Sequence, residues 1–379
     1  MRRRIPRQGA QVSSLSAADA DEERGRHPGS VASKGALQSA GDGRSRVSRM
    51  KAAVHTRYGP PDVVRIVDVP IPTVGEHDVL VKVHATTVNR TDCGFRAAHP
   101  FFIRVFTGLL RPRRTILGTE FAGTVEAVGS DVTSFTVGDD VFGFHEWKFG
   151  AHAEYLSIHE DGPLAPMPPN LTFGESAPST EGAHYALSNI RKSKVHSGQA
   201  VLVYGATGAI GSAAVQILKS LGAVVIAVCD TKNVDLVRSL GADRVIDYMA
   251  EDFTADQQRY DLVMDAVGKS SFGRCRRLLK PRGIYISSDL GPLSQNPILG
   301  VITPLFGGRR VKMPIPPRLG QEELRYLRGL MESGEFKPVI DHRYSLNEIV
   351  EAYRYVETGR KIGNVVITVA ERVARRAPR

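Results

Sequence analysis

The chain has 379 residues, 42% of them hydrophobic, and a formal net charge of +10. This length suits one large domain or two ordinary ones, and no run approaches the roughly 20 apolar residues of a membrane-spanning helix. The only cysteines, Cys93, Cys229 and Cys275, fit neither a disulfide framework nor a Cys-rich metal lobe and favour a reducing, cytoplasmic compartment.

Most of the positive charge lies in two terminal segments. Residues 1–49 carry ten Lys or Arg against five Asp or Glu, and residues 371–379 carry four Arg against one Glu. Segment 1–49 has no Phe, Tyr or Trp, so it cannot bury enough apolar surface to fold, and we predict a disordered extension. Met50 opens a β pattern, and we expect it to be the natural start. Basic tails can bind polyanions, but solvated tails are the simpler interpretation.

The body is predicted to contain three parts. Residues 50–176 contain short β-branched runs broken by Gly, Pro and Asp, such as DVLVKVHATTV, which indicate a barrel-like β domain. Residues 177–320 alternate apolar strands with helices, which predicts a parallel sheet covered on both faces. Residues 321–370 form a return segment, in which Ser345 and Glu348 are spaced as a capping box, Gly359 ends the helix and GNVVITV is the last strand.

A glycine turn in the second part predicts a dinucleotide site. The strand VLVY is followed by Gly205-Ala-Thr-Gly-Ala-Ile-Gly211 and then by the helix GSAAVQILKSLG. Small residues in this context let the backbone approach a pyrophosphate, and the start of the helix offers free N–H groups to it. The predicted cofactor-binding residues of this turn are Gly205, Thr207, Gly208, Ala209, Ile210 and Gly211.

The choice between NAD and NADP stays open. Asp230 ends the next strand, 19 residues after Gly211, where a carboxylate accepts hydrogen bonds from the adenosine ribose and favours NAD. Lys232 lies two residues further on and can hold the 2′-phosphate of NADP. Asp230 can also be a simple helix N-cap.

The order of these parts resembles the medium-chain dehydrogenase/reductase superfamily. The resemblance runs from Met50 to about Val369 and is carried by stretches such as GTEFAGTVEAVGSDVTSFTVGDDVFG (118–143), LGADRVIDY (240–248) and GRKIGNVVITV (359–369). Within the superfamily, the chain looks most like the zinc-free quinone oxidoreductase branch. This resemblance implies an α/β fold in which a Rossmann-fold parallel sheet domain is inserted in a GroES-like β-barrel substrate domain.

The positions that hold zinc in related alcohol dehydrogenases differ here. Those enzymes carry Cys-x-Thr-Asp and Gly-His-Glu, whereas this chain has Asn89-Arg-Thr91-Asp92 and Gly118-Thr119-Glu120. Zinc prefers Cys or His ligands, which amide and hydroxyl groups replace poorly. We therefore predict no zinc and expect His145 and His152 to be loop or core residues rather than ligands.

Without a metal, the expected reaction is hydride transfer from NADPH or NADH to a quinone or an α,β-unsaturated carbonyl, with hydrogen-bond donors at the developing oxyanion. Asn89, Thr91 and Asp92 are the predicted catalytic residues, although Asn89 and Asp92 can equally brace a turn. The resemblance also places Tyr248, Val267 and Asn364 at the cofactor. Related enoyl reductases use a tyrosine shortly after loop 89–92 as proton donor, but the corresponding run here, CGFRAAHPFFIRVFTG, has no tyrosine, so the donor is left open and water can supply the proton. A flat acceptor can stack on aromatic side chains, and the candidates are Phe95, Phe101, Phe102, Phe106 and Trp147.

Two alternatives remain at this stage. One is a zinc-type alcohol dehydrogenase, and the other is a protein that binds NAD(P)H without turnover as a sensor or binds RNA through its tails. The resemblance also allows a homodimer, for which RRVKMPI (309–315) is the predicted edge strand. The predicted partner is a small-molecule substrate, without nucleic acid or membrane.

Overall fold

The computed structural model describes residues 48–146, 148–313 and 319–370. The predicted disordered extension and the predicted basic tail therefore lie outside the described residues, except that the first strand already begins at Arg49. No helix in these three ranges is long and apolar enough to cross a membrane.

The first part of the chain is rich in strands, as the short β-branched runs predict. In chain order its elements are β1 (Arg49–His55), β2 (Val64–Pro70), β3 (Asp78–Val88), α1 (Arg90–Ala97), α2 (Arg104–Thr107), β4 (Glu120–Val128), β5 (Asp140–Phe144), β6 (Tyr155–His159) and β7 (Leu164–Pro166). Strand β3 is buried along most of its length because it pairs with both β4 and β6. It is the centre of this sheet.

The second part alternates strands and helices. Its elements are α3 (Phe173–Ser176), α4 (Glu181–Ser193), β8 (Ala200–Tyr204), α5 (Ala209–Ser220), β9 (Val224–Cys229), α6 (Val234–Ser239), β10 (Arg244–Asp247), β11 (Tyr260–Asp265), α7 (Phe272–Cys275), β12 (Leu279–Ser287), α8 (Gln295–Ile302) and β13 (Arg310–Lys312). The strands form one sheet in the order β10-β9-β8-β11-β12-β13, with every neighbouring pair parallel. The predicted parallel Rossmann sheet is confirmed, and β13 lies at one of its edges, opposite β10.

The last part returns to the first sheet. It contains α9 (Gln321–Glu332), β14 (Ile340–Ser345), α10 (Ile349–Glu357) and β15 (Asn364–Thr368). The predicted capping box is present, since Ser345 and Glu348 bond each other's backbone ahead of α10, and Gly359 follows the helix with a φ of +68°. Strand β15 pairs antiparallel with β3, so the last part of the described chain joins the sheet that β3 begins, while β1 and β2 form a separate two-stranded sheet.

Helix α5 shows how the sequence builds the cofactor side. Its apolar residues Ala213, Ala214, Ile217 and Leu218 recur on one helical face and are all buried at 2% exposure or less. Gly222 takes a φ of +75°, which suits glycine at the end of a helix. Burying one such aliphatic side chain stabilises the fold by about 1.5–3 kcal/mol. Leucines of α9 lie in the same core cluster, so this helix also supports the cofactor side.

The sheet order creates a natural ligand position. Strands β8 and β11 are neighbours, and the chain turns to opposite halves of the sheet from them. In open parallel sheets, ligands bind beyond the carboxyl ends of the strands at this switch point. The residues that follow β8 and β11 are Gly205 and Ala266. Ala266 and the turn residues Gly208, Ala209 and Ile210 line the cleft described next.

Candidate active site

A cleft of about 260 Å³ lies beyond the carboxyl ends of β8 and β11. Six of the predicted site residues line it, and they come from four separate parts of the chain: Asn89, Gly208, Ala209, Ile210, Val267 and Asn364. Residues that were not predicted also line it, among them Glu120, Glu181, Tyr185 and Lys361. The cleft therefore joins the glycine turn to the polar loop before α1.

The three glycines of the turn have different roles. Gly205 has a φ of +83°, and a Cβ there would lie 1.9 Å from Val267 Cγ2. A Cβ on Gly211 would lie 2.1 Å from the carbonyl oxygen of Gly205. At Gly208 the nearest atom would be 3.8 Å away. Gly205 and Gly211 therefore permit close packing, whereas Gly208 leaves an open space at the start of α5.

That open space fits the diphosphate of a dinucleotide. Gly208 is the N-cap of α5 and has no side chain to cap it, and the first intrahelical bond runs from Ser212 N to Gly208 O at 2.8 Å. The amides of Ala209, Ile210 and Gly211 thus have no acceptor within the helix. With the positive end of the helix dipole, they suit an anion. Thr207 contributes its carbonyl, which accepts from Gly363 N at 2.6 Å and ties the turn to the segment before β15.

The loop after β11 is held by one buried carboxylate. Asp265 accepts from the backbone amides of Val267 at 3.1 Å, Gly268 at 2.8 Å and Ser270 at 2.9 Å. The Tyr285 hydroxyl donates to it at 3.0 Å. These bonds fix Val267 against Gly205 at the cleft wall, where the resemblance places the nicotinamide end of the cofactor.

Asn89 links the start of α1 to the cleft. Its side-chain oxygen accepts from Asp92 N at 2.8 Å, and the Asp92 carboxylate accepts from Asn89 N at 3.1 Å, so the two residues form a capping box. The Asn89 amide nitrogen donates to Thr119 Oγ1 at 3.0 Å and to Glu181. Asn89 therefore braces a turn and also presents a donor group to the cleft.

Asp92 lies beneath the cleft rather than in its wall. It is fully buried and also accepts from Gly118 N at 3.0 Å. Burial raises the pKa of its carboxyl to about 7, against the opposing effect of the Asn89 and Gly118 amides. Its contacts indicate that Asp92 positions Asn89. Asp92 does not line the cleft, so no contact supports the direct catalytic role predicted from the sequence.

Glu181, the first residue of α4, forms the polar floor of the cleft. It is 8% exposed, and the Thr91 hydroxyl donates to its Oε1 at 2.5 Å, while Asn89 donates to its Oε2. Burial raises the pKa of this carboxyl well above its usual range, and the charge of Glu120 adds to the rise. Two predicted catalytic side chains therefore converge on a carboxyl group that the sequence did not single out.

Glu120 lies behind Glu181 and is almost completely buried. Its carboxylate accepts from Thr87 Oγ1 at 2.6 Å and from the backbone amide of Glu181 at 2.7 Å. Thr180 donates to the same carboxylate through its hydroxyl at 3.0 Å and its amide at 3.2 Å. Burial raises the pKa of Glu120, and these four donors oppose that rise by stabilising its ionised form.

Lys361 faces the two carboxyl groups from the segment before β15. It lines the cleft, and its Nζ donates to the Gly363 carbonyl. Burial lowers the pKa of this lysine, while the negative charges of Glu181 and Glu120 raise it. Asn364 lies nearby and is held by its own side chain, which donates to the Val339 carbonyl at 3.0 Å.

The residues predicted for the adenosine end do not line this cleft. Asp230 accepts from the Asn233 side chain, which supports a local bracing role, and Lys232 is exposed. Tyr248 is 50% exposed and lines a separate concavity with Tyr204, Phe253 and Arg274. Asp230, Lys232 and Tyr248 therefore stay predictions as cofactor contacts.

The predicted aromatic contacts also lie apart from the cleft. Phe95 packs on Phe149 with ring centroids 4.8 Å apart, and Phe95 and Phe106 line another cavity of about 300 Å³. Phe101 is 67% exposed. Trp147 and the side chain of Phe102 lie outside the described part of the chain.

The residues at the former zinc positions do not fit a zinc site. Asn89 and Thr119 bond each other, and amide and hydroxyl groups are poor zinc ligands. Among residues 48–146, 148–313 and 319–370, no group of three or more His, Cys, Asp or Glu is arranged to hold a metal ion. His145 and His152 are both buried, and burial lowers the pKa of each to about 4. Zinc independence stays a prediction.

Comparisons with known proteins agree with this architecture. The family described as "Alcohol dehydrogenase GroES-like domain" matches residues 75–169, and the one described as "Zinc-binding dehydrogenase" matches residues 240–367. The chain is 33% identical to the 2-methylene-furan-3-one reductase of Solanum lycopersicum, over 84% of this chain and 79% of that protein.

Two further relatives point to the same branch. The NADPH-dependent alkenal/one oxidoreductase of Arabidopsis thaliana, a chloroplastic protein, is 30% identical over 84% of this chain and 79% of its own length. The solved quinone oxidoreductase of Coxiella burnetii superposes with a TM-score of 0.76 at 29% identity and covers 85% of this chain and 100% of its own. The chain therefore belongs to the medium-chain dehydrogenase/reductase superfamily, in the branch that contains the quinone and alkenal oxidoreductases.

Proposed function

We propose that this protein uses NADPH or NADH to reduce a quinone or an α,β-unsaturated carbonyl compound, without zinc. One observation carries the proposal: a single cleft brings the uncapped start of α5 together with the Asn89–Thr91–Glu181 cluster. One wall suits a dinucleotide, and the opposite wall carries polar hydrogens suited to an acceptor oxygen. The three relatives reported above support this class of acceptor, because they are named as a 2-methylene-furan-3-one reductase, an alkenal/one oxidoreductase and a quinone oxidoreductase.

The glycine turn is the proposed cofactor cradle. The amides of Ala209, Ile210 and Gly211 would hold the diphosphate, and Gly205, Thr207 and Gly208 shape the turn that presents them. Val267 and Asn364 would lie at the nicotinamide, and Asp230, Lys232 and Tyr248 at the adenosine. When bound, the reduced cofactor supplies the hydride.

Asn89 and Thr91 are the proposed donors to the acceptor oxygen. Asn89 lines the cleft, and both side chains already donate to Glu181 on the cleft floor, so they are positioned before any ligand binds. Donors that are fixed in advance stabilise a developing oxyanion without reorganising during the reaction. Asp92 acts through Asn89, which it holds at the start of α1.

Oxidation of NADPH and NADH against a panel of quinones and enones, with EDTA present, tests the proposal. We expect loss of nicotinamide absorbance with at least one acceptor class and no effect of EDTA. Binding of both cofactors without turnover across the panel would favour the sensor. Activity that EDTA abolishes and zinc restores would favour the alcohol dehydrogenase.

A further inference from the structure

The cleft contains an ionisable group that the proposed function leaves unused. Glu181 has its carboxyl group on the cleft floor, within hydrogen-bond distance of both proposed oxyanion donors. Gly182, the next residue, lies against the start of α5, since a Cβ there would be 2.8 Å from the Ala209 carbonyl. The carboxyl group is therefore held between the acceptor wall and the cofactor wall.

The surroundings of Glu181 favour its protonated form. It is faced by Glu120 on β4, Asp92 on α1, Lys361 before β15 and Tyr185 on its own helix. Two adjacent buried carboxyl groups do not readily carry two negative charges. Because Glu120 already accepts four hydrogen bonds, the negative charge is better placed there and the proton on Glu181.

The hydrogen bonds of Glu181 permit this protonation. Thr91 Oγ1 lies 2.5 Å from Glu181 Oε1, and a hydroxyl group can accept as well as donate. A protonated Glu181 can therefore donate to Thr91 while it keeps accepting from Asn89. Thr91 can therefore hydrogen-bond Glu181 in both its protonated and its ionised form.

We propose that the carboxyl group of Glu181 is the proton donor that completes the reduction of the acceptor. This inference rests on the proposed function. For an enone, a hydride adds to the β-carbon and the electrons of the C=C bond move to the carbonyl oxygen. The O–H bond of Glu181 then breaks, a C–H bond forms at the α-carbon, and the carbonyl re-forms. Glu181 is left as a carboxylate that takes a proton from solvent before the next turnover.

Infrared spectroscopy of the protein without cofactor tests the protonation state directly. A protonated carboxyl band at neutral pH should be present in wild type and in Glu126→Gln, and reduced in Glu181→Gln. Glu126 is the matched control because it is an exposed glutamate on the same strand as Glu120. An unchanged band in Glu181→Gln would overturn the inference.

Kinetics then test the proton transfer. General acid catalysis contributes about 10²–10⁴-fold, so Glu181→Gln should lower kcat by that factor. Wild-type kcat should fall as rising pH deprotonates Glu181, and this fall should vanish in Glu181→Gln. If Glu181→Gln does not fold, Glu181→Asp replaces it, with a lower kcat and a retained but shifted fall.

The outcomes separate this inference from the proposed function. A wild-type protein that reduces no acceptor overturns both. An active wild type whose Glu181→Gln variant keeps its kcat and pH profile overturns only the role of Glu181. For a merely structural glutamate, the pH profile would stay unchanged even if kcat fell.

Discussion

Replacing Gly205 by alanine tests the close packing that shapes the glycine turn. The residue has a φ of +83°, and the new Cβ would lie 1.9 Å from Val267 Cγ2. The backbone conformation alone costs about 1–2 kcal/mol for a residue with a Cβ, and an overpacked contact costs about 1–3 kcal/mol more. We therefore expect Gly205→Ala to lower the free energy of unfolding by about 2–5 kcal/mol.

Gly198 is the matched control for this change. It has a similar φ of +79°, but nothing lies within 4 Å of its added Cβ. Gly198→Ala should therefore cost only the conformational part, about 1–2 kcal/mol. Urea unfolding of both variants measures the difference, and Val267→Ala in the Gly205→Ala background should recover part of the loss. Equal losses at the two glycines, or no recovery on shortening Val267, would refute the reasoning.

Three other variants probe the cleft and its support. Asn89→Ser keeps an uncharged N-cap but removes the amide donor to Glu181, so it should keep the stability of wild type within about 1 kcal/mol and lose most NADPH oxidation; full activity would contradict the donor role. Because the pKa of Asp92 is raised to about 7 when folded, its proton stabilises the native state at low pH, and the contribution of Asp92 to stability should fall as pH rises from about 4 to 7. Asp92→Asn should flatten that fall in urea titrations, and an unchanged slope would contradict it. Glu357→Gln removes the carboxylate partner of the fully buried Arg96. Because Glu357 is 36% exposed and Arg96 also donates to the Gly59 carbonyl, the cost should stay below the roughly 3–5 kcal/mol of a fully buried pair. Glu351→Gln in the exposed pair with Arg354 should cost at most about 1 kcal/mol, and a larger loss there than in Glu357→Gln would contradict the importance of the buried charge.

The sequence predicts the cofactor side of the cleft well because its signals are local. A glycine turn between an apolar strand and a helix constrains its own backbone, and Gly205, Gly208 and Gly211 lie where that constraint requires. The capping box of Ser345 and Glu348 has the same local character. The parallel sheet follows from alternating strands and helices, since parallel neighbours need crossover helices.

The polar floor could not be predicted in the same way. Glu120 is the first residue of a strand and Glu181 the first of a helix, 61 residues apart, and neither segment indicates that the two carboxyl groups meet. Only the tertiary pairing of β4 with the start of α4 makes them neighbours. Lys361 joins them because β15 returns to β3. Local sequence patterns do not indicate such tertiary contacts. The sequence therefore could not predict that an acidic side chain is buried at the cleft.

The central claim is that the uncapped start of α5 binds the diphosphate of a nicotinamide dinucleotide, and Gly208→Asp tests it most directly. The open space at Gly208 accommodates the side chain, and aspartate is a good N-cap, so the variant should fold at least as stably as wild type. Its carboxylate would stand where the diphosphate binds. Repulsion between the carboxylate and a diphosphate charge about 4 Å away is worth roughly 4 kcal/mol near a protein surface. We therefore expect the affinity for the dinucleotide to fall more than about a hundredfold. Calorimetry with NADPH and NADH, with Gly208→Ser as the uncharged control, should show this loss for aspartate. If Gly208→Asp binds both dinucleotides as tightly as wild type, the account is contradicted.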